Sequence, residues 1–120
     1  MTDQLRNPNS KFYPPTEPDC NYFGYPDNQV KPYLRDLIER ARDNSRRFSI
    51  SHLTTTTHHP WVPPPAFGKQ RDYMGRKGWQ DHNDINNYLN TIKYADVWIM
   101  DMLEDTGVAN ETMVVVIGDQ

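Results

Sequence analysis

The sequence predicts an α/β fold, a mostly parallel sheet sandwiched by helices. Two observations carry this. A stretch with helical apolar spacing, starting at Asp27, is followed by RFSISHLTT, Arg47 to Thr55. A second, longer helical pattern from Asp84 is followed by TMVVVIG, Thr112 to Gly118. Helix then strand, twice over, with apolar strands, is the order of a layered α/β domain.

Residues 1–24 are polar and broken by Pro8, Pro14, Pro15 and Pro18. They show neither helical nor strand period and read as an irregular arm. Patterned sequence occupies residues 25–120. Val30, Leu34, Leu37, Ile38 and Ala41 share one helical face. Asp27 or Asn28 suits the N-cap of that helix, and Pro32 is tolerated in its first turn. The helix is expected to end near Asn44. In the strand that follows, Phe48 and Ile50 alternate with Ser49 and Ser51, and Thr54 to Thr57 carry the chain out of the sheet.

The second helix spans Asp84 to Asp105. Ile85, Leu89, Ile92, Ala95, Ile99, Met102 and Leu103 fall at helical spacing, with Asn83 or Asp84 as cap and Gly107 as stop. The run Thr112 to Gly118 is continuously apolar, as in a strand buried on both faces. Between the two units lies Pro60 to Gln80, basic and broken by Gly68, Gly75 and Gly78. It reads as a surface loop near a site, or equally as a solvated insertion.

The totals narrow the function. The 120 residues carry a net charge of −3 with acids and bases mixed, so no nucleic-acid partner is expected. No apolar run reaches the roughly 18 residues of a membrane span, so this segment is expected to make no direct membrane contact. Cys20, the single cysteine, can form neither an internal disulfide nor a thiolate metal site. The chain stops at Gly118-Asp119-Gln120, directly after its most apolar strand. Open α/β sheets bind ligands beyond the carboxyl ends of their strands. The expectation is therefore a fragment, or a truncated gene model, of a larger domain.

Two polar clusters occupy equivalent places. His58 and His59 follow the first strand in TTTTHHPW, and Asp119 and Gln120 follow the second. In a parallel sheet both would lie on one edge. A carboxylate there can bind a hard cation, and an imidazole can bind a metal or donate to an anionic oxygen. The same residues also suit a turn former and a polar strand end. Spacing alone does not decide.

The stretch YLNTIKYADVWIMDMLEDTGVANETMVVVIGD resembles the segment of sulfatases and related alkaline-phosphatase-superfamily hydrolases that leads to a metal-binding Asp. Tyr88, Tyr94, Asp96, Gly107, Thr112, Val114, Val115 and Asp119 carry the likeness. SHLTTTTHHPWVPP resembles the family's strand followed by H-x-P. The HHPW form is most similar to the lipoteichoic-acid-synthase-like or fungal-type sulfatase branch. The resemblance covers roughly Tyr25 to Gln120, so that residues 25–120 would be a partial sulfatase-like catalytic domain.

The resemblance implies an alkaline-phosphatase-like α/β fold and a metal-dependent hydrolase of sulfuric esters. Alternatives are a phosphoric-ester hydrolase or phosphotransferase of the same superfamily, and a non-catalytic pseudoenzyme or binding fragment. It implies Asp119 and Gln120 as ligands of a divalent metal ion, Ca²⁺ first, with Mg²⁺ or Mn²⁺ as alternatives. The family places His or Asn where this chain has Gln120, whose amide oxygen reaches a cation on a longer arm. His58 becomes the catalytic, substrate-binding residue, and Asp27 in FGYPDN matches an active-site-facing Asp of that branch. Its N-cap role explains Asp27 equally well. The family nucleophile precedes this region, no C-x-P-x-R is present, and Cys20 in EPDCNYF does not match. This chain alone is therefore expected to be inactive. The implied partner is a sulfate or phosphate ester, and the implied parent is membrane-anchored or in the secretory pathway. Asp96 is assigned to a buried hydrogen bond.

The histidine pair is expected to split. Pro60 disfavours the helical region for His59 and should hold the exit extended, so adjacent side chains point to opposite sides. The H-x-P match selects His58 for the site. His59 would then pack beside Trp61 or face solvent.

Overall fold

In the computed structural model of the chain, residues 2–75 and 83–118 are described. Their helices are α1 (Thr2–Arg6), α2 (Lys31–Asp43) and α3 (Asn83–Asp105), with short 3₁₀ turns at Asp27–Val30 and Pro65–Phe67.

α2 forms where the apolar spacing places it. Leu34 and Ile38 are each 1% exposed, and Pro32 sits in the first turn. Asp27 and Asn28 do not cap it. They lie in the 3₁₀ turn, and α2 begins after Val30 with no side-chain cap.

Both long helices stop in the same way. At the end of α2, Ser45 adopts φ 52°, its N–H donates to the Arg42 carbonyl at 2.9 Å, and the Arg46 N–H donates to the Ala41 carbonyl at 2.8 Å. At the end of α3, Gly107 adopts φ 67°, its N–H donates to the Glu104 carbonyl at 2.9 Å, and the Val108 N–H donates to the Leu103 carbonyl at 3.2 Å. These are Schellman closures, which satisfy the orphan carbonyls of a last turn. The accompanying apolar contact is present too, as Val108 packs with Leu103 and Ile38. Arg42 Nη2 donates to the Thr106 carbonyl at 3.1 Å and ties the two helix ends together.

The core consists of two small clusters. Leu5, Val30, Leu34 and Trp98 form one, and Ile38, Leu103 and Val108 form the other. Ile50 and Ile99 pack against both. Residues 1–24 are therefore not wholly irregular. They open with α1, and Leu5 is 2% exposed within the first cluster.

The sheet is the main departure from expectation. Among the described residues the only β pairing is an isolated antiparallel bridge, Asn21 to Gly24. A β-branched run expresses a fit to a pleated, half-buried surface, and a ladder needs a hydrogen-bonded neighbour as well. Neither RFSISHLTT nor TMVVVIG has such a neighbour among the described residues. The first still shows the period of a strand. Ile50, His52 and Thr54 are partly buried while Ser49, Ser51 and Leu53 are exposed. The second is not buried. Met113, Val116 and Ile117 are 89%, 79% and 82% exposed.

α3 buries the predicted face in its C-terminal half, at Ala95 and Leu103 with Ile99 and Met102 partly covered, but turns a different, polar face inward in its N-terminal half. Asn86, Asn90, Thr91, Tyr94, Ala95, Trp98 and Leu103 are buried, while Ile85 and Ile92 are exposed. Polar contacts select that N-terminal face. Asn90 accepts from the Arg71 N–H at 2.9 Å and donates to the Arg71 carbonyl at 2.8 Å. Asn86 accepts from the Tyr73 N–H at 2.8 Å. The loop segment 71–75 is thus pinned to α3 rather than free in solvent, and the rest of that loop to Gln80 lies outside the described residues. Asp96 is exposed, not in a buried hydrogen bond, because it points away from this covered face.

Candidate functional site

The site is built around Asp27. Pro26 holds an extended backbone, φ −54° and ψ 145°, and the 3₁₀ turn begins immediately after it. This sends the Asp27 side chain toward residues 52–56. Its Oδ1 accepts from the Thr55 N–H at 3.0 Å and Oδ2 accepts from the Thr56 N–H at 3.0 Å. His52 Nε2 lies 2.9 Å from Oδ1 and, facing a carboxylate, is the donor. The contact is reciprocal, since the Asp27 N–H donates to Thr56 Oγ1 at 3.2 Å. Asp27 is only 2% exposed. Burial alone pushes its carboxyl pKa up, but the donors from His52, Thr55 and Thr56 outweigh it and hold the group below its ordinary value.

The clamp extends sideways. Thr55 Oγ1 donates to the Tyr25 carbonyl at 2.9 Å, and Asn21 Nδ2 donates to the Thr55 carbonyl at 2.7 Å. The His52 ring lies tilted on Trp98 of α3, centroids 5.0 Å apart. Tyr94 Oη accepts from the Asn28 N–H at 3.1 Å, and burial pushes its phenol pKa well above the ordinary value. A cleft of about 240 Å³ opens beside the clamp, with Phe23, Tyr25, Asp27, Ser51, His52 and Thr55 among its walls.

Residues 55–61 form consecutive turns, not the extended exit that Pro60 suggests. The His58 N–H donates to the Thr55 carbonyl at 3.2 Å and the Trp61 N–H donates to the His58 carbonyl at 3.1 Å. The histidines diverge all the same. The exposed His58 ring sits on Phe23 at 4.0 Å, whereas His59 meets Trp61 edge-on at 5.0 Å. His58 Nδ1 lies 3.0 Å from the His59 carbonyl oxygen. A carbonyl can only accept, so Nδ1 carries the proton. Nε2 is then an acceptor in the neutral ring and a donor in the imidazolium.

The structure thus brings Asp27 to the turn that carries His58. Asp119 and Gln120 lie outside the described residues. Among the described residues no group of three His, Cys, Asp or Glu side chains is placed to hold a metal ion. Cys20 is half-buried, its thiol donates to the Gly24 carbonyl at 3.3 Å, and burial pushes its pKa up, all of which disfavour the nucleophilic thiolate. His52, Thr55 and Thr56 escape a reading by motif. Their signal is a polar, hydrogen-bonding run at the end of an apolar strand pattern, which β propensity absorbs first.

The sulfatase family profile matches residues 2–120, and the chain belongs to that family. The family is one of hydrolases with an alkaline-phosphatase-like α/β fold that generally use divalent metal ions. The match also takes in most of the arm, residues 2–24. No curated protein and no solved structure matches the chain. No helix among the described residues is long and apolar enough to cross a membrane.

Proposed function

We propose that this chain supplies part of the active site of a metal-dependent sulfuric-ester hydrolase, with His58 as the residue that meets the substrate. Family membership over residues 2–120, together with an exposed ring held on Phe23 and by its own Nδ1–H, supports this reading. His58 Nε2, as imidazolium, donates to an ester or sulfate oxygen. The contact strengthens as negative charge develops there, and a donor of this kind is worth about a hundredfold or more in turnover.

The proposed metal ligands are Asp119 and Gln120, oxygen donors suited to Ca²⁺ first and to Mg²⁺ or Mn²⁺ next. When bound, such an ion would polarise the ester as a Lewis acid. Asp119→Ala should strip the ion from the protein, read as metal content by mass spectrometry. Retained metal in that variant contradicts the ligand assignment. The functional test uses the metal-loaded full gene product with p-nitrophenyl sulfate and p-nitrophenyl phosphate. Turnover of the sulfate, lost with a chelator and restored by Ca²⁺, is the expected result. Preference for the phosphate would move the protein to the phosphoric-ester side of the superfamily, and no turnover of either would support a non-catalytic role.

A further inference from the structure

The geometry points to Asp27 as a positioning residue that fixes the turn presenting His58, with His52 linking it to Trp98 of α3. This rests on the proposed role of His58. Direct contact with substrate, the role the resemblance implies for Asp27, fits its surroundings poorly. A sulfate ester presents acceptors, and so does a carboxylate. The two would repel at hydrogen-bond distance, and Asp27 is 2% exposed with both oxygens already accepting from the chain.

What Asp27 does hold is specific. The Thr55 and Thr56 amides immediately precede the turn whose Thr55 carbonyl accepts from the His58 N–H. His58 therefore sits one turn from the clamp, on a backbone fixed by it. His52 closes the assembly from the other side. One ring nitrogen donates to Asp27, and the ring face rests on Trp98, so the position of α3 is transmitted to the same carboxylate. A carboxylate is needed because both oxygens must accept. In Asn the amide nitrogen would face a backbone N–H or the His52 donor, leaving that donor buried and unpaired.

The test is a double-substitution cycle on the full, metal-loaded gene product. Asp27→Asn is expected to lower kcat on p-nitrophenyl sulfate about tenfold, with KM changed less than about twofold. In a His58→Ala background the same change should lower kcat by less than about twofold, because the residue acts through His58. His52→Ala should behave like Asp27→Asn, and His52→Gln, which keeps an N–H donor, should recover most of the loss. Equal losses in both backgrounds, or normal kcat in Asp27→Asn, overturn the inference. Hydrogen exchange provides a readout that needs no turnover. The Thr55 and Thr56 amides should exchange about tenfold faster in Asp27→Asn, while the Ile38 amide in α2 stays protected. A wild-type protein inactive on both esters would overturn the hydrolase reading alone. The clamp is then decided by the exchange data, and unchanged Thr55 and Thr56 amides overturn it.

Discussion

Both long helices end in the same closure, one on glycine and one on serine, and exchanging the residues should move stability in opposite directions. A Cβ added at Gly107 finds Arg42 Nη2 as its nearest neighbour at 3.8 Å, an ordinary contact. The cost of Gly107→Ala is therefore not steric crowding. It is the backbone penalty of a non-glycine residue at φ 67°, about 1–2 kcal/mol. The smaller unfolded-state entropy of Ala offsets about 0.4–1 kcal/mol of that. A net loss of about 1 kcal/mol remains. Ser45 already carries φ 52° without being glycine, so Ser45→Gly should gain about as much. The consequence reaches the proposed site, because Gly107 turns the chain from α3 into the run leading to Asp119. Hydrogen exchange reads both changes locally. The Val108 amide should exchange about fivefold faster in Gly107→Ala, and the Arg46 amide about fivefold slower in Ser45→Gly. An unchanged Val108 amide, or a faster Arg46 amide, refutes the closure argument.

Three further outcomes follow from the packing and the charges. Leu34, 1% exposed, joins α1, α2 and α3 in one cluster, and Leu34→Ala should cost about 2–5 kcal/mol, read as a lower urea midpoint. Asp27 has a depressed folded-state pKa, so its stabilisation is fully present above the ordinary carboxylate value and is lost as pH falls through the folded value. Acid titration monitored at the Thr55 and Thr56 amides should show this loss in the wild type and not in Asp27→Asn. Asn90→Ala should release residues 71–75, seen as faster tryptic cleavage after Arg71, and an unchanged cleavage rate would show that Asn86 alone suffices.

Helices were the legible part of this sequence, because their signal is local. The spacing of Leu34 and Ile38 and the stop at Gly107 each depend on neighbours within one or two turns. The face of α3 was less legible in its N-terminal half. Its apolar residues circle the helix, and the face that is covered is chosen by Asn86 and Asn90 holding a loop more than ten residues away in sequence. Strand pairing depends on partners distant in the chain, so TMVVVIG can read as a buried strand and yet lie exposed among the described residues. In the site, H-x-P singles out the histidine pair, and the pair does diverge, though through turns rather than an extended exit. Asp27 stood out in FGYPDN, but what it accepts from did not. Its donors lie about 30 residues further along, in a threonine run whose amides no side-chain pattern reveals.

The central claim is that His58 serves the chemistry and His59 does not. Turnover of p-nitrophenyl sulfate by the full, metal-loaded gene product, measured separately for His58→Ala and His59→Ala, tests it most directly. The account predicts a loss of about a hundredfold or more in kcat for His58→Ala. For His59→Ala, which gives up an edge contact with Trp61, it predicts a kcat within about threefold of wild type. Normal turnover in His58→Ala with a crippled His59→Ala would contradict it.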